Sequence, residues 1–351
     1  MPNRRRRPQA PRQQRGITLV ELMIAMFLST MILMGAFHVH STFQYSMHRQ
    51  DEITRMQQTM KVTRDLLDRR LRAAGAGMVG KMVAWCGGEH LVGPFMIHNS
   101  NVIGTSDAAE GGADPDPDWF EILSSDKTRN GYLTNQHPVT GVIKQINNPQ
   151  DFPVGGLIGI KGQGGVCIFM VTSNNGGHIQ YRQGGSDLFR CYNETANKFD
   201  CEDNVLGQKF LEAGSEILNF SSGTFGLRID NSNPRRPILM MASGVAGGDA
   251  SQYTWQPIAE HVEDMQVGVY LDTSNPPDEI GDVWVNSRDL TALELGNVRA
   301  VRISLVFRSA SEIPGWQAGR RPALEDRPAA TATDGYLRRV MTTTVKLRNM
   351  P

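Results

Sequence analysis

The chain has 351 residues, 40% of them hydrophobic and 21% charged, with 36 basic and 36 acidic side chains. That composition excludes a core-less chain and fits one large globular domain or two small ones. The 36 glycines and 18 prolines predict many turns and long loops.

The charge is unevenly placed. Residues 1–16 hold six arginines (Arg4, Arg5, Arg6, Arg7, Arg12 and Arg15) and no acid, which leaves 30 basic against 36 acidic residues in the remainder, a net of −6. A basic tail can bind nucleic acid. The apolar run directly after this tail favours a topogenic arm held in the cytoplasm. From Ile17 to Phe37 the chain is apolar for 21 residues, with one charge, Glu21. At about 1.5 Å per residue this spans roughly 30 Å, a bilayer core. Arginines before a single span place the N-terminus in the cytoplasm and the rest of the chain in the periplasm or beyond. A secretory signal would carry small residues in an A-x-A arrangement after the apolar run. None is clear here, and the small residue, Gly16, lies before the run.

Glu21 is out of place in such a segment. A carboxylate in the middle of a bilayer costs about 2.5–3.5 kcal/mol, and near its edge it still needs a partner. A cut after Gly16 would free an α-amino group at Ile17, about one turn from Glu21, and the same cation on a neighbouring copy would serve equally.

No proline occurs between residues 12 and 93, so Ile17 to Ala74 is predicted to be one helix, about 58 residues and roughly 87 Å long. Its second half is amphipathic, with Ile53, Met56, Met60, Leu67 and Leu71 on one stripe. Asp51–Arg55, Lys61–Asp65, Asp65–Arg69 and Asp68–Arg72 are opposite charges four apart. Gly75 is the predicted helix stop. Beyond it the chain reads as short strands: 119–123, 157–160, 167–172 and 225–229. Residues 265–271 and 298–309 alternate, the latter with Val301, Ile303, Leu305 and Phe307 on one face and Arg302, Ser304 and Arg308 on the other. Residues 337–349 read as a last strand. The last three strands predict an antiparallel sheet with one face on the long helix, interrupted by loops at 272–297 and 310–335.

The run Gly16-Ile17-Thr18-Leu19-Val20-Glu21 resembles the processing motif of type IV prepilins and type II secretion pseudopilins. The order of later segments, from RLRAAGAG at 70–77 through EHVEDMQVGVYLD, NVRAVRISLVFRS and RRVMTTTVKLRN, is similar to the PilW family of minor pilins. A departure is Gly155-Gly156 before Leu157, where that family has Gly-Asp. The resemblance implies a type IV pilin-like α+β fold, with a long N-terminal helix packed on an antiparallel sheet head with long loops. It implies a cytoplasmic leader at 1–16, a membrane half at 17–37, an amphipathic half at 38–74 and a periplasmic head at 75–351. Prepilin peptidase would cut after Gly16 and N-methylate Ile17, and Glu21 would neutralise a neighbour's N-terminus during assembly. The implied role is a minor pilin that primes assembly and sits at the pilus tip, beneath a larger adhesin, in support of twitching motility and adhesion. Implied partners are the peptidase, other minor pilins, the major pilin and the inner-membrane assembly platform. The rival is a J-type pseudopilin of type II secretion, against which the chain's length counts.

Other motifs fail on context. Residues 75–82, GAGMVGKM, satisfy G-x-G-x-x-G, but a helix precedes them where a phosphate loop needs a strand, and Met82 stands where Mg²⁺ needs a hydroxyl. Asp114, Asp116 and Asp118 alternate with prolines and are weak calcium candidates. Counted as an EF-hand, position six is Trp119 rather than Gly and position twelve is Ser125 rather than Glu. Four cysteines in an oxidising compartment predict disulfides, with Cys191–Cys201 closing a local loop and Cys86–Cys167 as the remaining pair. A zinc site is the alternative, without C-x-x-C spacing to support it. No catalytic signature is present, and no basic patch with interleaved aromatics follows the leader, so neither an enzyme, a cofactor nor nucleic acid is expected.

Overall fold

The computed structural model describes residues 16–76, 85–87, 90–92, 95–98, 117–138, 142–144, 146–161, 166–176, 178–181, 190–193, 198–199, 210–220, 225–243, 254–272, 283–286, 290, 294 and 297–348. One long helix, α1 (Leu19–Ala73, 55 residues), precedes a series of antiparallel sheets. The fold is α+β, as the sequence predicts. The chain divides into two compact units, Met1–Ile53 and Thr54–Pro351.

In the first unit α1 is apolar and uncovered. Leu19, Met23, Phe27, Met31 and Met34 are all exposed. It is long and apolar enough to cross a membrane by length and composition. Three of its hydroxyls fold back on the helix, with Thr30 Oγ1 donating to Met26 O at 2.7 Å, and Ser41 Oγ and Thr42 Oγ1 each to His38 O at 2.9 Å. Folding a hydroxyl back on the ladder is the remedy a helix in lipid requires.

In the second unit the last turns of α1 bury Met56, Thr63, Leu67, Leu71 and Ala74 at three- and four-residue spacing, with Met60 packed beside them. Thr63 completes the predicted stripe as a polar member that hydrophobicity alone passes over. Of the four predicted i, i+4 pairs, the one that closes among the described residues is Asp68–Arg72, where Arg72 Nε donates to Asp68 Oδ2 at 2.8 Å. The helix stops where glycine permits it. Gly75 takes φ +71°, and Ala76 N donates to Ala73 O. Gly75 N also donates to Leu123 O, and both Ser125 N and Ser125 Oγ donate to Ala76 O. The exit of the helix is therefore stitched to the strand region around residue 123.

Two sheets supply most of the core. In chain order their strands are β1 (Phe95–His98), β2 (Trp119–Ile122), β3 (Phe225–Asp230), β4 (Ile238–Ser243), β5 (Gln256–Glu260), β6 (Val262–Leu271), β7 (Val283–Val285), β8 (Val298–Arg308) and β9 (Arg338–Lys346). The first five form one sheet, in the order β5-β4-β3-β2-β1, and the rest a second, in the order β7-β6-β8-β9. Every pairing is antiparallel. Val267, Val269, Val301, Ile303, Leu305 and Phe307 share a core with Leu67, Leu71, Phe120 and Leu227. Further pairings join six strands in the order 131–132, 216–219, 157–161, 166–174, 178–181 and 142–144. Before Leu157, Gly155 holds φ +80° in a turn whose ends bond to Val171.

The polar side of β6 and β8 is largely closed to solvent. Asp264, Gln266 and Ser304 are buried there, and Asp264 is bonded to the segment 310–335. That segment is a strap held by charge. Asp264 accepts from Arg321 Nη1 at 3.0 Å and from Arg327 Nη1 at 2.6 Å. Arg302 donates to both oxygens of Glu325, at 2.7 and 2.6 Å, and lies 4.2 Å from the Trp284 ring centre. Arg338 donates to Glu263 and Asp334. The strap closes on itself through bridges Gly319↔Asp334 and Leu324↔Arg327.

Candidate functional site

The first turn of α1 explains Glu21 in local terms before any partner is invoked. Thr18 precedes the helix and Glu21 is its third residue. Glu21 N donates to Thr18 Oγ1 at 3.2 Å, while Glu21 Oε2 accepts from Thr18 N at 3.2 Å and Thr18 Oγ1 at 3.1 Å. This is a capping box, and the sequence signal for it, Thr-x-x-Glu, stands at 18–21. The acid also lies at the positive end of the helix dipole. The carboxylate thus satisfies, through Oε2, an amide at the helix start that would otherwise be orphaned. Gly16 is exposed with open space around it, and Ile17 is 77% exposed, so the peptide between them is accessible.

Asp118 is fully buried, its N–H donating to Met265 O at 2.8 Å and its Oδ2 accepting from Val267 N at 2.6 Å. It clamps the start of β2 to β6. Asp114 and Asp116 lie outside the described residues, and among those described no three metal-ligating side chains come together. Cys201 and the side chains of Cys86, Cys167 and Cys191 also lie outside them. The backbone register sets Trp85 opposite Cys191, and Cys167 opposite Ile160. Gly75 and Ala76, the described part of the glycine-rich stretch, form the exit turn of a helix and not a phosphate cradle. His38 and His40 lie on α1, where His40 Nε2 meets Gln44 Nε2 at 2.9 Å.

Glu121 on β2, the carboxylate just beyond Asp118, is buried, 1% exposed. His98 Nε2 lies 3.7 Å from it, and the His98 ring stacks on Trp119 at 3.7 Å. In the strap, the Asp334 carboxyl is held below its ordinary pKa by the Arg338 hydrogen bonds, against an opposing effect of burial. Arg338 loses hydration, yet its bonds to Asp334 and Glu263 outweigh that and raise it. Asp326 goes the other way. Burial raises its pKa, and neither carboxylate oxygen has a hydrogen-bond partner. Asp334 and Arg338 fasten the strap.

The chain matches known families at both ends. Residues 226–349 match the model of the type IV pilus-assembly protein W family, and residues 11–37 match the prokaryotic N-terminal methylation motif. No curated protein matches the chain. Among solved structures, a type IV-like pilin from Thermus thermophilus aligns at 11% identity and a TM-score of 0.37, covering 84% of this chain and 98% of that one. The first match covers β3 to β9 with the strap, and the second covers Gly16, the capping box and the apolar run. The chain is thus similar to N-methylated prepilin-type proteins over its first turn and apolar run, and to the type IV pilus-assembly protein W family over β3 to β9.

Proposed function

We propose that the protein is a minor pilin, cut between Gly16 and Ile17 by a prepilin peptidase, methylated at Ile17, and assembled into a type IV pilus. The observation that carries this reading is the coincidence at one helix start of an accessible Gly16–Ile17 peptide, an exposed apolar helix and Glu21 held in place by Thr18. Residues 1–16 are then the cytoplasmic leader, 17–37 the membrane half of the helix, 38–74 its amphipathic half and 75–351 the periplasmic head. The Arg-rich leader supports this orientation.

In the membrane Glu21 faces a solvation cost that its own capping box only partly offsets. The carboxylate then meets the amino group of a neighbouring subunit's N-terminus, which lowers that cost for both charges on entry into a filament. The subunit primes assembly with other minor pilins and sits near the tip, where it supports twitching and attachment. Its work is packing and docking, and no chemistry is assigned to it.

The N-terminal mass of the protein from native membranes and sheared pili tests this. A start at N-methylated Ile17 is the expected result. A chain that still carries Gly16 in both fractions sinks the reading. Deleting the gene then separates two filament systems: loss of pili is expected, and loss of secreted enzymes with intact pili would transfer the subunit to type II secretion.

A further inference from the structure

β9 is the rim of the second sheet. Its nine pairs with β8 run from Arg308↔Arg338 to Ala300↔Lys346 without a shift in register, so no bulge turns this rim aside. Leu347 N donates to Arg299 O at 2.9 Å, which fixes the phase of the ladder. Odd-numbered residues of β9 bond to β8. The N–H and C=O groups of Val340, Thr342 and Thr344 therefore point outward, and all three residues are exposed. No strand among the described residues pairs with this side.

A long flat rim is a template for another chain, and proteins blunt it with proline, bulges or inward charges. Residues 338–346 contain no proline. Two exposed threonines, Thr342 and Thr344, occupy the middle of the rim, with exposed Arg339 and Arg348 at its ends. No acid occurs between 337 and 348. Arg338 is already engaged by Glu263 and Asp334. A second copy of β9 laid antiparallel on the first would bring Arg338 and Arg339 against Lys346 and Arg348, and like charges on adjacent strands repel. A strand with acids at its two ends has the complementary pattern.

We propose that the rim of β9 is a docking edge for an extended acidic segment of a partner protein, bound by strand addition. Main-chain bonds to the outward groups supply the affinity, and the terminal arginines supply the selectivity. The inference stands apart from the pilus reading, because it concerns what the sheet binds and not where the chain is anchored.

The test uses the full-length protein in detergent micelles and two labelled synthetic peptides. Each has a core of alternating Thr and Val, one flanked by Glu at both ends and the other by Lys. Fluorescence anisotropy should show the Glu-flanked peptide binding at least tenfold tighter, and more weakly as salt is added. Amide exchange should slow at Val340, Thr342 and Thr344 on binding, with the odd-numbered amides already protected. The double variant Arg339→Glu with Arg348→Glu should reverse the preference between the peptides. Thr344→Pro removes an outward N–H that β8 does not use, and it should abolish binding while the fold persists; if it fails to fold, the charge reversal still decides. Equal binding of the two peptides, no binding, or protection elsewhere in the head would overturn the proposal. So would protection of the same three amides by self-association without peptide, which would assign the rim to a second copy.

Discussion

Arg302 and Glu325 form a two-toothed ion pair, at 2.7 and 2.6 Å, although Glu325 holds a φ of +46° to make it. A left-handed backbone is unfavourable for any residue with a side chain, by about 1 kcal/mol or more. Glycine at this position would relieve that strain and lose the carboxylate. The side chain's bond to the sheet outweighs the backbone's preference, and this ordering of effects holds for the whole strap.

The strap's centre is Asp264, and its removal should be costly. Asp264 is 0% exposed and faces two guanidiniums whose side chains are 12% and 14% exposed. Asp264→Ala leaves two buried cations without their carboxylate and should destabilise the head by about 3–5 kcal/mol. Replacing Asp264, Arg321 and Arg327 together by apolar residues of similar size should cost far less. Urea denaturation of the purified full-length protein measures both. A loss below about 1 kcal/mol for the single variant would show that the triad does not hold the strap.

Acid should loosen one end of the strap, and the sign follows from Asp334. Its folded pKa is depressed, so the stability it contributes is complete above its unfolded value, about 3.9. That stability is lost as pH falls through the lower folded value. Asp326 opposes this. Its folded pKa is raised, so it favours the fold when protonated and that contribution disappears as pH rises above about 3.9. Asp326→Asn should therefore raise the melting temperature at pH 7 and have little effect near pH 3. An equal shift at both pH values would remove Asp326 from the explanation.

Gly319 should tolerate no side chain. A Cβ there would lie 2.2 Å from Tyr336 O, a backbone atom that cannot swing away. Gly319→Ala should cost about 1–3 kcal/mol and open the strap to trypsin after Arg320. Unchanged cleavage kinetics would contradict the close approach.

The capping box makes a separate prediction at the other end of the chain. Thr18→Ala removes the hydroxyl that Glu21 N donates to, at a cost of about 1 kcal/mol to the first turn. Amide exchange at Glu21 in micelles should rise roughly fivefold, while exchange beyond residue 30 stays the same. Glu21→Gln should retain most of the cap and lose the charge, which separates the local role of this side chain from its proposed role between subunits.

Local chemistry makes the helix legible. Its predicted limits, Ile17 and Ala74, differ by a residue or two from Leu19 and Ala73, and Gly75 caps it as its freedom at positive φ requires. The alternation at 298–309 likewise marks β8 and its apolar face. By alternation alone the polar face is the side away from the core, yet it is also buried, by partners 23 to 63 residues distant in the chain such as Glu325 for Arg302 and Arg327 for Asp264. No periodicity encodes a pairing between a loop and a strand so far apart. The capping box is legible at 18–21 and easily missed, because a carboxylate in an apolar run draws the eye to distant partners before its neighbour three residues back. Asp118 has the spacing of one of three ligand candidates, and its use as a main-chain clamp depends on β6 arriving from 149 residues away.

The stitching at the helix exit has a mechanical consequence. Gly75 N and the Ala76 carbonyl are bonded to Leu123 O and Ser125, immediately beyond β2. β2 is not a rim strand, because it pairs with β3 on one side and β1 on the other. Tension entering at the end of α1 is thus delivered next to an interior strand and shared between two ladders. A subunit tugged by its helix would yield only after several bonds shear together, and the head would transmit force without unravelling from its margin.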